Sequence, residues 1–345
     1  MTLRESSCGC SEGATTAAPQ GGTGDTAPCA CTGRSQRGRA WAELLRLPAL
    51  FSVPGDALAG AAATGAAPHA RTLLAIGSSL CLYEAGMALN DWADRDIDAV
   101  ERPHRPLPSG RIRPSAALTA ACALTGAGLA LAGGAGRPAL AVAAPLAATV
   151  WAYDLGLKHT PAGPVAMAAA RGLDLLLGAA ATTGRTRPAL PSAALLGTHT
   201  LAVTTVSRQE AQGGSPLAPL AALATTALLT RVVTHRPSEH RGATAPDRLG
   251  PRATRPPGPV LGRKPAAHLT TALAAVYVAA TARPYFHATL NPSPPLTQRA
   301  VGAGVRATIP LQATLTARSK GTATALLIAA LAPLGARFAR KVSVT

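Results

Sequence analysis

The sequence predicts an all-α fold, a polytopic transmembrane bundle of about nine helices. Three observations support this prediction. Charged residues make up only 14% of the 345 residues, and they cluster so that long stretches carry almost none; a soluble chain usually carries about 25%. Apolar segments recur at lengths close to the roughly 20 residues that span a bilayer core. Ala and Gly crowd these segments, and in lipid small residues let helices approach closely.

The apolar segments define the predicted helices. Nine have the length and composition of a membrane span, and they cover residues 41–64, 70–90, 115–134, 137–153, 162–183, 189–206, 216–234, 266–283 and 321–338. A weaker, arginine-bearing segment at 302–318 is predicted either as a further span or as an interfacial helix.

Two stretches lack the pattern of a packed helix. Residues 1–39 are rich in Gly, Thr, Ser and Ala, and we predict a disordered tail ahead of a membrane domain at 40–340. Two C-x-C pairs in this tail are compatible with a soft-metal site or with free thiols in an unstructured segment. Residues 236–264 are rich in Pro, Arg and Gly, and we predict a flexible basic loop there.

The formal charge of +17, from 33 Lys and Arg against 16 Asp and Glu, fits either nucleic acid or an anionic membrane surface. Nucleic-acid binding needs stacking aromatics or a reading helix among the basic residues. The few aromatic residues sit mostly in apolar segments or at their edges. We therefore expect membrane lipid, and no nucleic acid, as a partner of the basic loops.

Two polar loops are expected on the same side of the membrane. Residues 91–114 follow the second predicted span and residues 207–215 follow the sixth, so an even number of spans precedes each. Arginines at 95–113 favour a cytoplasmic location for this side under the positive-inside rule. The basic loop at 236–264 then falls on the opposite side, against the same rule. We expect a multi-pass protein of the cell membrane.

The most specific motif ends the second apolar segment. Asn90, Asp91, Asp94 and Asp98 have the spacing N-D-x-x-D-x-x-x-D. On a helix the three Asp positions share one face, and their charges repel unless a cation neutralises them. Carboxylate oxygens suit Mg²⁺, which keeps several waters and accepts substrate phosphates as ligands. The motif predicts a Mg²⁺-dependent diphosphate site; a solvated acidic helix end is the alternative.

Cations follow this motif directly. Arg102 and Arg105 belong to the stretch RPHRPLPSG at 102–110, which brings positive charge and turn residues against the acidic face. Such cations would bind phosphate oxygens that a metal leaves free. They favour the diphosphate site over a merely solvated helix end.

Residues 90–110, NDWADRDIDAVERPHRPLPSG, resemble the first signature of the UbiA superfamily of intramembrane prenyltransferases. The resemblance extends over roughly residues 41–340, since this family has nine transmembrane helices with polar loops after the second and the sixth. It implies an enzyme that binds an isoprenyl diphosphate through Mg²⁺. The diphosphate then ionises to an allylic cation, which an acceptor such as an aromatic ring captures.

The resemblance also assigns residues. Asn90, Asp91, Asp94 and Asp98 correspond to the family's first motif. The stretch YDLGLK at 153–158 is similar to a Tyr/Lys segment after the fourth helix, which implies that Lys158 contacts diphosphate. The alternative for Lys158 is a snorkelling interfacial lysine.

The family's second motif, D-x-x-D-x-x-x-D, is largely lost here. The matching stretch, SRQEAQGG, keeps only Glu210, while Ser207 and Gly214 stand where the outer Asp residues would be. A second metal would lack most of its ligands, and Arg208 would substitute for it electrostatically. The pattern S-R-x-E-x-x-G-G resembles a divergent bacterial branch of the family.

Charges within the apolar segments indicate a buried polar cavity, because an ionisable group in lipid is normally paired or faces a cavity. Arg171 and Asp174 are three residues apart in the fifth span, and they form either a structural ion pair or part of a site. Arg46, Asp56 and Glu84 are similar cases in the first two spans.

The leading hypothesis is a transferase that moves an isoprenyl group from its diphosphate to a small acceptor, aromatic or secondary-metabolite, within the membrane. Asp91, Asp94 and Asp98 would hold Mg²⁺ with help from Asn90 and Glu210. Diphosphate would bind to the cations Lys158, Arg102, Arg105 and Arg208. The alternative is a catalytically weakened lipid-binding or transport component, which the degraded second motif favours.

Overall fold

The computed structural model describes residues 30–209, 214–235, 263–319 and 321–342, and the regular structure in these ranges is entirely helical. The all-α prediction is confirmed. The described residues form twelve α-helices: α1 (Ala30–Leu44), α2 (Pro54–Ala63), α3 (Ala70–Ala93), α4 (Arg95–Glu101), α5 (Pro114–Ala135), α6 (Arg137–Leu155), α7 (Gly163–Thr183), α8 (Leu190–Ser207), α9 (Leu217–Thr234), α10 (Arg263–Leu290), α11 (Pro294–Arg318) and α12 (Thr322–Val342). Short 3-10 helices occupy Leu47–Ser52, Leu157–His159 and Arg187–Ala189.

Six helices in the described ranges are long and apolar enough to cross a membrane: α3, α5, α6, α7, α8 with its preceding 3-10 turn, and α9. Leu50–Ala63 and Thr322–Gly335 are shorter apolar helices. Each of the nine predicted segments contains a helix. The six clear spans, with α2, α10 and α12, therefore account for the predicted bundle.

The first predicted span is not continuous. Instead of one helix over 41–64, α1 ends at Leu44, a 3-10 helix follows, and α2 begins at Pro54. Pro48 and Pro54 explain the break, because proline lacks the N–H that a continuous helix needs and is tolerated in the first helical turn. The predicted disorder of 1–39 is wrong at its end, where residues 30–39 form most of α1. Ala, Arg and Gln support a helix there.

Two predicted regions lie partly or wholly outside the described residues. Residues 1–29 of the tail, with three of the four cysteines of its C-x-C pairs, are among them. So are residues 236–262 of the basic loop, whose last two residues belong to α10.

Helix α11 contains the weak segment predicted at 302–318. Ala307–Ala317 are all buried, whereas Val305 and Arg306 are exposed. The helix packs against α10, α12, α8 and α2. The polar side chains of its central part, Thr308, Gln312, Thr314 and Thr316, are therefore enclosed by the rest of the bundle.

Helix α7 joins the two halves of the core. Leu175 and Ala179 pack into a cluster built from α2 and α8–α11, whereas Leu177 and Ala181 pack against α3, α5 and α6. The helix thus buries opposite faces in two clusters. This position makes α7 the common wall between the halves of the bundle.

The crossing of α2 and α7 depends on two glycines. A Cβ added to Gly60 would lie 2.9 Å from Ala179 N, and one added to Gly178 would lie 2.6 Å from Ala57 C. Both distances are shorter than a normal van der Waals contact. The two backbones therefore approach as closely as small residues permit in membrane helix packing.

The polar connections gather at one end of the bundle, as predicted for 91–114 and 207–215. Lys158, between α6 and α7, contacts Asp94 after α3. Arg208, at the end of α8, donates to the carbonyl of Thr160. The connections after α3, α6 and α8 are therefore neighbours.

Candidate active site

The three Asp residues of the predicted metal motif lie where α3 passes into α4. Asp91 is in the last turn of α3, Asp94 lies at the junction, and Asp98 is in α4. Helical bonds continue through the junction, from Asp94 N to Asn90 O at 3.0 Å and from Asp98 N to Asp94 O at 2.8 Å. The predicted spacing is thus preserved. Asp91 and Asp98 are buried, whereas Asp96 points outward and is exposed.

Guanidinium groups neutralise the two buried carboxylates. Arg105 Nη1 lies 2.6 Å from Asp98 Oδ2 and 3.5 Å from Asp91 Oδ1. Arg102 Nη1 lies 3.6 Å from Asp98 Oδ1. Arg46 approaches from the turn after α1, with its Nη2 3.1 Å from Asp91 Oδ1. The expected proximity of Arg102 and Arg105 to the acidic face is therefore present.

Lys158 is part of the same cluster. Its Nζ lies 2.6 Å from Asp94 Oδ1 and 3.4 Å from Asn90 Oδ1, and its side chain is only 8% exposed. A snorkelling lysine would carry its ammonium group to the surface, so the burial argues against that alternative. The neighbouring His159 is 64% exposed, and its Nε2 is 3.8 Å from the same Asp94 oxygen.

A cavity of about 260 Å³ opens beside this cluster and runs into the bundle between α3, α6 and α7. Asn90, Tyr153 and Asp154 line its mouth. Its middle section is lined by Tyr83 and by the apolar residues Leu82, Met87, Leu146, Val150, Met167 and Ala170. The volume is near the lower limit for small-molecule sites, which suits a small or slender ligand.

The inner end of the cavity is polar. Ser79, Arg171 and Asp174 line it. Of the two alternatives for Arg171 and Asp174, the mutual ion pair is not formed, since Arg171 Nη1 lies 3.1 Å from Asp56 Oδ2 on α2. Asp174 instead accepts a hydrogen bond from the Ser79 hydroxyl. Spacing along one helix could not reveal these partners, because they come from other helices.

Two further intramembrane charges noted in the sequence have different surroundings. Asp56 is fully buried and accepts a hydrogen bond of 2.7 Å from Gln312 Nε2 of α11. Glu84 is buried without a hydrogen-bond partner among the described residues and does not line the cavity. Of the charges noted in the first two spans, Glu84 is therefore the one that faces neither the cavity nor a hydrogen-bond partner among the described residues.

The degraded second motif is described only in part. Ser207 ends α8 and donates to the carbonyl of Thr204 at 2.9 Å. Arg208 reaches the α6–α7 connection through Thr160, and among the described residues it forms no ion pair with the first-motif carboxylates. Glu210 lies outside the described residues.

Oxygen donors at the mouth suit Mg²⁺. Asp91, Asp94 and Asp98 offer carboxylates and Asn90 an amide oxygen. Within the described ranges no three His, Cys, Asp or Glu side chains form a ready-made metal cluster. Mg²⁺ is commonly held by one or two carboxylates together with waters and substrate phosphates. The residues therefore fit an ion that binds together with a diphosphate.

Asp154 was not singled out from the sequence. It is buried at the cavity mouth and lies close to α3, since a Cβ added to Gly86 would be 3.7 Å from its Oδ2. The available signal was its position in the same YDLGLK stretch as Lys158, four residues away. With it, four carboxylates meet four cations: Asp91, Asp94, Asp98 and Asp154 against Arg46, Arg102, Arg105 and Lys158.

Comparison with known proteins identifies the family. The profile of the UbiA prenyltransferase family matches residues 50–234. Digeranylgeranylglyceryl phosphate synthase of Methanothrix thermoacetophila is 40% identical over 112 residues, which cover 32% of this chain and 42% of that protein. Chlorophyll synthase of Oryza sativa subsp. japonica is 36% identical over 123 residues, 33% of each chain. The chain thus matches less than half the length of these relatives.

The solved structure of a UbiA homolog from Archaeoglobus fulgidus bound to DMAPP and Mg²⁺ shares the fold. The TM-score is 0.52 at 16% identity, over 78% of this chain and 98% of that one. The family match spans more than half of the sequence and includes α2–α9, and the resemblance predicted from the NDWADRDID stretch is confirmed. The chain belongs to the UbiA prenyltransferase family.

Proposed function

We propose that the chain is a Mg²⁺-dependent prenyltransferase that moves an isoprenyl group from its diphosphate to a small lipophilic acceptor inside the membrane. The observation that carries this proposal is the mouth of the cavity. There Asp91, Asp94 and Asp98 meet Arg105 and Lys158 beside an apolar pocket in a UbiA-family chain. The acceptor is proposed to be an aromatic or secondary-metabolite molecule.

Asp91, Asp94 and Asp98 are proposed to hold Mg²⁺ with assistance from Asn90. When bound, the ion would neutralise charge that develops on the diphosphate as the allylic C–O bond breaks. Glu210 is proposed to assist from the loop after α8. The Archaeoglobus fulgidus homolog was solved with DMAPP and Mg²⁺, which supports an isoprenyl diphosphate as the donor and Mg²⁺ as the cofactor.

The cations would neutralise the leaving group. The three carboxylates of the first motif are already paired with cations at the mouth, so a Mg²⁺–diphosphate unit would exchange some of these ion pairs as it enters. Lys158, Arg102 and Arg105 would release their Asp partners and donate to phosphate oxygens. Arg208 would supply positive charge where the family's second motif has lost its Asp residues. This is electrostatic stabilisation of charge as it develops.

The apolar wall would protect the carbocation. Once the C–O bond breaks, its electron pair leaves with the diphosphate and the allylic carbon becomes cationic. Leu82, Met87, Val150 and Met167 would exclude water from this carbon. The acceptor then supplies the electron pair of the new carbon–carbon or carbon–heteroatom bond and loses a proton.

The orientation is proposed from charge. Arginines concentrate near the cavity mouth, at 95–113, and the positive-inside rule favours the cytoplasm for such a loop in a cell-membrane protein. Labelling of a cysteine introduced at the exposed Ser109 from either side of the membrane tests this. Labelling from the outer side alone would reverse the orientation.

The proposed activity can be tested with the purified full chain in lipid nanodiscs. We expect Mg²⁺-dependent release of diphosphate from dimethylallyl or geranyl diphosphate when a lipid extract supplies acceptors, and loss of release on chelation of the metal. Asp94→Asn should abolish release because it removes a proposed ligand. Asp96→Asn is the matched control, since Asp96 is exposed and points away.

A specific observation supports the alternative function. The second motif retains one carboxylate of three, which weakens the case for efficient ionisation. Tight Mg²⁺-dependent binding of geranyl diphosphate without release, in the presence of any acceptor extract, would favour a lipid-binding or transport role. Absence of both binding and release would overturn the prenyl-diphosphate site itself.

A further inference from the structure

The polar inner end of the cavity has no role in the chemistry proposed at its mouth. Ser79, Arg171 and Asp174, here named the polar floor, close the apolar section from α3 and α7. A cavity built only for a long hydrocarbon tail would stay apolar to its end. Charged groups at this depth are costly in a membrane protein unless they are paired.

The polar floor is built rather than accidental. Arg171 is held by Asp56, which Gln312 also contacts, and Asp174 is held by Ser79. These partners come from four helices, α2, α3, α7 and α11. An apolar ligand could displace the floor only by breaking hydrogen bonds and an ion pair in a low-dielectric interior.

The distance from the cavity mouth to the polar floor limits the length of the tail that the cavity can hold. Asn90 at the mouth and Ser79 at the floor are eleven residues apart on α3, which corresponds to about 16 Å along the helix. Each isoprene unit of an extended tail spans roughly 5 Å with standard bond lengths. A tail of up to three units therefore fits above the floor, whereas a tail of four units, roughly 20 Å long, does not.

We propose that the polar floor limits the donor to short isoprenyl diphosphates, of at most fifteen carbons, and that Ser79, Arg171 and Asp174 determine this specificity. The inference rests on the proposed function, because it assumes that diphosphate binds at the Asp cluster and that the tail follows the apolar section. The expected preference for short donors is the reverse of the ordinary trend, in which a longer hydrocarbon buries more surface and binds more tightly.

The test is competition for radiolabelled geranyl diphosphate, with Mg²⁺, on the full chain in nanodiscs of one fixed lipid composition. The competitors are dimethylallyl, geranyl and geranylgeranyl diphosphate. For the native chain we expect the affinity for geranylgeranyl diphosphate to be at least about tenfold lower than the affinity for geranyl diphosphate, because the longer tail overfills a packed cavity. Equal or tighter binding of the longer donor would overturn the inference and show that its tail leaves the cavity sideways.

Ser79→Ala with Asp174→Ala should reduce this discrimination several-fold, because the floor becomes apolar and recedes. The double change removes the donor and the acceptor of one hydrogen bond together and leaves Arg171 with Asp56 as a one-to-one ion pair. Ser78→Ala is the matched control, since Ser78 is buried beside Ser79 but does not line the cavity. If the floor only ties helices together, the double variant loses thermal stability while the ratio of affinities stays unchanged.

A second variant keeps the inference testable if the double variant does not fold. Ala170→Leu adds apolar bulk just before the floor and should weaken geranyl relative to dimethylallyl diphosphate. An unchanged ratio would show that the tail does not occupy this section. Binding of none of the three donors would instead refute the proposed function, so the two failures are distinguishable.

Discussion

Lys158→Met tests the cation that contacts Asp94, the middle residue of the Asp cluster. Met has a similar length and an unbranched apolar chain, so it preserves packing while it removes the charge. In the native chain Nζ lies 2.6 Å from Asp94 Oδ1 and the side chain is 8% exposed. The substitution therefore deletes one short, buried, charge-assisted contact and leaves Asp94 with the distant His159.

The expected magnitude follows from that contact. A hydrogen bond to a charged group contributes about 1.5–3 kcal/mol. The Asp94 side chain is 21% exposed, so water can replace part of the lost contact, and we expect stability to fall by only about 1 kcal/mol. For a diphosphate bound at the mouth, water does not replace the contact with Lys158 in this way. We therefore expect donor affinity to fall by about 10- to 100-fold.

Binding of radiolabelled geranyl diphosphate with Mg²⁺ measures the effect, and thermal unfolding of the same samples reports stability. His159→Ala is the matched control, because His159 is adjacent in sequence but mostly exposed; its affinity should stay within about twofold of the native value. Unchanged donor affinity in Lys158→Met would refute a diphosphate-binding role for Lys158. An equal loss in both variants would point to a distortion of the loop.

The remaining predictions concern ion pairing and packing. Arg105→Gln should cost about 1–2 kcal/mol of stability without ligand, because Asp98 loses its 2.6 Å partner. Mg²⁺ with diphosphate should then raise the unfolding temperature less than in the native chain, because Arg105 is proposed to donate to phosphate oxygens; an equal increase would contradict that role. Gly178→Ala should lower the free energy of unfolding by about 1–3 kcal/mol, since the new Cβ would lie 2.6 Å from Ala57 C. Gly126→Ala, with nothing within 4 Å, is the control, and equal unfolding temperatures for the two would argue against close packing at that crossing.

Most of the bundle could be predicted from the sequence, because each of these helices is recognisable from its own apolar length. Apolar length alone located α3 and α5–α9, and their bounds differ from the predicted ones by only a few residues. Helix α11 was predicted only as a weaker segment at 302–318, since its burial depends on α2, α8 and α10 rather than on its own hydropathy.

The candidate site was predictable where residues are close in sequence. Asp91, Asp94 and Asp98 share a face because helical bonding continues across the α3–α4 junction. Contacts from distant segments were not predictable: Arg46 reaches Asp91 across 45 residues, from a turn where it adopts a left-handed φ of 47°. Only tertiary structure could reveal that partner.

Helix α11 also has a consequence for biogenesis. Its buried face carries Thr308, Gln312, Thr314 and Thr316, and it is not among the helices of the described ranges that qualify as spans by composition. The hydroxyl groups of Thr314 and Thr316 donate hydrogen bonds to backbone carbonyls of α11 itself, with oxygen–oxygen distances of 2.7 and 2.8 Å. Gln312 instead needs Asp56 and Ser52 of the first segment. An insertion apparatus that selects nascent segments by hydropathy would not hold α11 in the bilayer by itself. We therefore expect the membrane insertion of α11 to depend on helices synthesised some 250 residues earlier.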